Sequence, residues 1–162
     1  MHERIDVPSE FKYPKDLLLT LGGMLTTDQV NNPSTLNLQG NPIRRVLKRG
    51  FTTHTTVGTL TRFMAFVRKY FPTGNLESFE IPILSHEHDT STFSKGGDSG
   101  SLIVSVTSEF VALLTGGTNK GTGGSDITFA SPFEWVWDLV KEEFSGANLY
   151  FGSFQEFLAG VA

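Results

Sequence analysis

The chain has 162 residues, 38% of them hydrophobic and 19% charged, with a formal net charge of -4 and no cysteine. That length suits one domain with a real core. The composition excludes disulfides, thiolate metal sites and a generally basic nucleic-acid binder, and no run reaches the ~18 apolar residues of a membrane-spanning helix.

Residues 1–15, MHERIDVPSEFKYPK, are polar and carry both charge signs. They lack the apolar core of a secretory signal, so a cytoplasmic location is the default expectation. Leu17 to Leu21 predicts a buried strand ended by Gly22-Gly23, and TTDQVNNPSTLNLQGNP a loop with one short helical turn. Further strands are expected over 43–48, 57–67, 79–84, 102–106, 110–115 and 127–130. Pro132 opens the one long helical pattern, 133–143, with Phe133, Val136, Trp137 and Val140 on its apolar face, running through to Phe144. Many short strands closed by one helix predict an all-β fold, an antiparallel Greek-key-type six-stranded barrel with a C-terminal α-helix. The expected organisation is a lead-in over 1–15, the barrel and its helix over 16–144, and an apolar, aromatic tail over 145–162.

Charge is unevenly spread. No acidic residue lies between Gln29 and Leu76, whereas Arg44, Arg45, Lys48, Arg49, Arg62, Arg68 and Lys69 all do. Two readings stand: a solvated face balanced by the acidic C-terminal half, or a contact surface for an anionic partner such as RNA. In the second, Phe63, Phe66, Tyr70 and Phe71 are candidate stacking groups. Aromatics in strands more often belong to the core.

The most informative stretch is Lys95 to Val104, KGGDSGSLIV. Glycines and serines surround one aspartate and an apolar strand follows, a pattern suited to a strained turn presenting one hydroxyl. This resembles the nucleophile segment of chymotrypsin-like serine peptidases. VALLTGG resembles the strand that lines the substrate pocket in that family, and SDITFASPFEWVWDLVKEEF its last strand and C-terminal helix. VLKRGFTTHTTVGTL resembles the first hairpin of the second barrel, whose turn favours Gly-x-Thr-Thr-Gly; here His54 stands at the second glycine. Residues 16 to about 144 are thus similar to the C-terminal half of such a peptidase, closest to the intracellular trypsin-like type of mushroom-forming fungi.

The resemblance implies roles. Ser99 would be the nucleophile, with its own N–H and that of Gly97 forming the oxyanion hole, and Asp98 would anchor the turn through an ion pair or hydrogen bonds. Thr115, Gly116 and Gly117 match the substrate-pairing edge. Phe93 matches the floor of the specificity pocket and Asp126 a second pocket position. No cofactor is implied.

A serine hydroxyl needs a base. In the family the histidine and aspartate of the triad come from the first barrel, and no matching segments occur in this sequence. The histidines are His2, His54, His86 and His88. His86 and His88, in SHEHD, invite a metal-site reading, and His86 a makeshift dyad with Ser99, but such alternation in a loop more often faces solvent, and no metal site is expected. The expected protein is therefore a fragment, a subunit completed by another polypeptide, or an inactive descendant serving as a binding module. Its partners would be a peptide or protein, with a homodimer or second chain covering the open barrel face and no membrane.

Overall fold

The computed structural model describes residues 19–37, 39–85, 92–118 and 127–149. In chain order the elements are β1 (Gly23–Met24), α1 (Thr27–Asn31), β2 (Arg45–Gly50), β3 (His54–Leu60), β4 (Ala65–Phe71), β5 (Gly74–Ser85), β6 (Leu102–Ser105), β7 (Glu109–Gly117), β8 (Ile127–Pro132) and α2 (Phe133–Glu143). Six strands close into a ring, β2–β3–β5–β8–β7–β6 and back to β2, with every pairing antiparallel. The order is a Greek key: β5 reaches β8 across the ring while β6 returns to β2. This is the expected six-stranded antiparallel barrel with a C-terminal helix.

Alternation along the strands explains the closure. Val46, Ile81, Ile83, Ile103, Val111 and Ala130 point inward and form one cluster with Phe93 and Leu114. Each of the six ring strands is paired on both sides over part of its length. Two strands lie outside it. β1 adds to β7 in parallel over two residues, and β4 pairs with the first half of β5 as a projecting two-stranded ribbon.

Helix α1 begins with a capping box: Thr26 Oγ1 accepts from the Gln29 N–H, and the Gln29 side chain accepts from the Thr26 N–H. Glu134 Oε2 in the first turn of α2 accepts the Thr27 N–H at 2.7 Å and ties the two helices together. On α2, Phe133 is buried and stacks on Phe110 with ring centroids 4.6 Å apart. Val136, Trp137 and Val140 share its inner face, but Phe144 lies past the helix and is exposed.

Several sequence expectations need correction. The strand expected over 17–21 is absent over 19–21; the chain pairs later, at Gly23–Met24, once the Gly22 N–H has bonded the Ser108 carbonyl. The strand expected over 43–48 is Arg45–Gly50. The single strand expected over 57–67 is two, β3 and β4, separated by a turn in which Thr61 Oγ1 donates to the Phe63 carbonyl. The remaining strands agree to within a few residues, except that β5 starts five residues early, at the ribbon tip.

His54 opens β3 opposite Gly50 with φ of 55°. The residue standing at the family's second turn glycine therefore still adopts the left-handed backbone that a glycine tolerates freely. His54→Gly is expected to leave stability unchanged or raise it by up to ~1 kcal/mol, read as a higher urea midpoint at constant m-value. A clear loss would mean that the His54 side chain, not its backbone, matters.

Candidate active site

The segment between β5 and β6 is built around a buried carboxylate. Asp98 has no exposed surface and receives five hydrogen bonds. Its Oδ1 accepts the N–H groups of Thr52 (2.7 Å) and Thr53 (3.2 Å). Its Oδ2 accepts Thr53 Oγ1 (2.7 Å), the Lys95 N–H (3.0 Å) and Lys48 Nζ (3.3 Å). The Lys48–Asp98 contact is an ion pair with both side chains wholly enclosed. Burial opposes ionisation of Asp98, but the hydrogen bonds from Thr53, Lys95 and Thr52 together outweigh it and hold the carboxyl well below the usual carboxylate range. Burial also lowers the Lys48 ammonium, and the pairing with Asp98 offsets this only in part.

The β2–β3 turn is the cradle. Besides its threonine contacts to Asp98, Thr52 Oγ1 donates to the Gly96 carbonyl at 2.8 Å, and Thr56 Oγ1 to the Phe93 carbonyl at 2.8 Å. Gly50 leaves the space that Asp98 fills, because a Cβ there would collide with its carboxylate. Lys48 also lies over the Phe93 ring, its Nζ 5.5 Å from the centroid.

Around the aspartate the backbone turns sharply. The Asp98 N–H donates to the Lys95 carbonyl, Ser101 N–H to the Asp98 carbonyl, and Gly100 N–H to the Leu114 carbonyl. Gly97 takes φ of 99°, and a Cβ at that position would strike Thr52 Oγ1. Ser99 is exposed on this turn. Among the described residues the N–H groups of Gly96, Gly97 and Ser99 have no acceptor, while those of Lys95, Asp98, Gly100 and Ser101 on the same turn do. Nor does the Ser99 hydroxyl have a hydrogen-bond partner there. His54, the one histidine among the described residues, makes no hydrogen bond to it.

Ser99 borders a depression lined by Ser94, Lys95, Gly96, Leu114, Gly116 and Gly117. Beyond Leu114, β7 pairs with β8 on one side and has no partner strand on the other among the described residues. The backbone of 115–117 is thus an open edge beside the serine. Thr115 is the extra residue of a β-bulge between Leu114 and Gly116. Its Oγ1 donates to Glu80 Oε2 at 3.0 Å and to the Phe129 carbonyl at 3.1 Å. Glu80 is buried on β5 and also accepts from Ser78 and Ser131.

Gly97, Asp98, Ser99, Gly116 and Gly117 therefore come together, with Thr115 fixing the bulge behind the two glycines. Phe93 does not join them. It belongs to the barrel core with no exposed surface, and the residue lining the depression is its neighbour Ser94, whose hydroxyl meets Thr128 Oγ1 at 2.6 Å. Asp126, His86 and His88 lie outside the described residues, and among those described no cluster of acidic and histidine side chains could hold a metal.

Sequence reasoning missed Lys48, the two turn threonines and Glu80. Lys48 had a signal: it alternates in phase with Val46, so its ammonium had to point into the core and needed an anion there. The basic segment also divides. Arg45 and Lys48 are buried, and Arg44 turns inward to the carbonyls of Thr61 and Asn31, whereas Arg49, Arg62, Arg68 and Lys69 are exposed.

No protein-family model and no curated protein matches the chain. Among solved structures it is similar to the chymotrypsin of Cellulomonas bogoriensis, at 20% identity and a TM-score of 0.43, over 60% of this chain. The match covers 46% of that enzyme, so the chain spans about half its length. The barrel described above rests on the chain's own strand ladders. No helix among the described residues is long and apolar enough to cross a membrane.

Proposed function

We propose that this chain is the nucleophile-bearing barrel of a trypsin-like serine peptidase of the fungal intracellular type, with the general base supplied from outside it. The observation carrying this reading is the pair of unengaged N–H groups at Gly97 and Ser99, beside an exposed hydroxyl and an open strand edge. Free donors on the turn that presents the hydroxyl suit an oxyanion. Asp98 and Lys48 fix the turn without an amine released by cleavage. A peptide would pair with the 115–117 edge, and Ser99 Oγ would attack its carbonyl carbon, the carbonyl π pair moving onto the oxygen beside the two N–H groups and the hydroxyl proton passing to the external base. Collapse then breaks the C–N bond, and the base returns the proton to the departing amine.

A second reading, a non-catalytic peptide-binding module, is favoured by the bare Ser99 hydroxyl. Loss of a complete triad costs about 10⁶ in turnover, so peptide hydrolysis by the pure chain is expected at background level. The test is amide NMR with a short peptidyl boronic acid. Tetrahedral addition to Ser99 is expected to shift the Gly97 and Ser99 amides, and Ser99→Ala to abolish the shift. Shifts confined to Gly116 and Gly117 would select the binding module, and none at all would overturn both readings. Robust hydrolysis abolished by Ser99→Ala would show that this chain holds its own base.

A further inference from the structure

The β4–β5 ribbon departs from the rest of the molecule. Phe63, Phe66, Tyr70, Phe71, Leu76 and Phe79 are all more than half exposed there, so these aromatics are not core. Register sorts them by face. Phe66 stands opposite Phe79, Arg68 opposite Glu77, and Tyr70 opposite Asn75, and these three rungs alternate onto one outer face. The Phe66 and Phe79 rings are 5.5 Å apart, Arg68 lies over Phe66, and Arg68 is ion-paired with Glu77.

We infer that this face is the contact through which two copies of the chain pair. Its charge supports that occupant over an anionic one. Arg68 and Glu77 cancel, so the face has no net attraction for nucleic acid or anionic lipid, and Lys69 projects from the opposite side. Its pattern is also self-complementary. A two-fold axis parallel to the strands, midway above the ribbon, places β4 of one copy over β5 of the other. Arg68 then meets Glu77 of the second copy and Glu77 its Arg68, while Phe66 and Phe79 meet the same two rings in a four-ring cluster. The alternative two-fold axis, across the strands, sets Arg68 against Arg68 and Glu77 against Glu77, so the central rung selects one arrangement. Exposed apolar patches of this kind on soluble proteins mark interfaces.

The test is the mass of the full chain in solution by light scattering and sedimentation over a range of concentrations. The wild-type chain is expected to dimerise. Arg68→Glu makes the central rung wholly acidic and Glu77→Arg makes it wholly basic, so each alone is expected to weaken self-association by at least about tenfold. Equal mixing of the two variants is expected to restore a dimer, now mixed, because the rungs are again opposite. Circular dichroism confirms that each variant is folded, and Phe79→Ser provides a second disruption that leaves charge untouched. A wild-type monomer at every concentration would overturn the inference. So would a dimer indifferent to these substitutions, or variants that fail to pair on mixing. Binding of the wild-type ribbon to RNA or to anionic vesicles, lost in Glu77→Arg no more than in Phe79→Ser and without dimer formation, would also overturn it.

Discussion

Asp98→Ala is expected to destabilise the chain by about 3–5 kcal/mol, because it removes one partner of a buried ion pair. The loss reaches further than the pair. The N–H groups of Thr52, Thr53 and Lys95 and the Thr53 hydroxyl all lose their acceptor at once. Lys48→Ala is expected to cost less, about 1–3 kcal/mol, since Asp98 keeps four of its five donors. Asp98→Asn should resemble the alanine variant more than a conservative change, because an NH2 in place of Oδ2 would face three donors. Urea midpoints for the three variants give the order directly. A costlier Lys48→Ala would mean that the ammonium, not the N–H cradle, is the principal stabiliser of the turn.

The same group sets an acid limb. The folded pKa of Asp98 is depressed, so its contribution is complete above the unfolded value of about 4 and fades as pH falls through the lower folded value. Wild-type stability should therefore drop steeply below about pH 4. Asp98→Asn should lose the part of that slope belonging to this carboxyl, and parallel acid limbs for the two proteins would refute the linkage.

The second large effect is expected in the core. Ile83 has no exposed surface and sits at the ring's closure, its strand paired to β3 through Leu60 and to β8 through Thr128. Ile83→Ala removes packing on both sides of that seam, and a barrel wall hydrogen-bonded along both edges relaxes poorly into a cavity. A cost of about 2–5 kcal/mol is expected, toward the upper end. Ile83→Val should cost about 0.5–1.5 kcal/mol. Thermal unfolding of the two variants checks the ratio; equal small losses would show that the seam collapses onto the gap.

The barrel and its helix were legible because each signal was local. Pro132 and the spacing of Phe133, Val136, Trp137 and Val140 define α2 without reference to anything distant. Pairing was less legible. The run from Val57 to Val67 reads as one strand until the Thr61 turn is seen, and β5 extends back to Gly74 only because β4 is there to pair with it. The site divides in the same way. Ser99 and its glycines are written in one short stretch, whereas Thr52, Thr53 and Lys48 owe their place to a carboxylate about fifty positions away. Spacing from the serine says nothing of direction: the Phe93 ring turns into the core, and its neighbour Ser94 lines the depression.

The route by which the ring closes bears on when the site comes into being. The β2–β3 hairpin and the ribbon fold from neighbours in sequence, but the last seams join β6 to β2 and β8 to β5, over much longer stretches of chain. Such pairings are slow, since a long loop must be ordered before any contact is gained. During synthesis Lys48 and the turn threonines emerge well before Asp98, and β8 later still. A nascent chain therefore carries an unpaired lysine amid apolar strands until the Asp98 turn arrives, and Ser99 gains its geometry in a late, cooperative step.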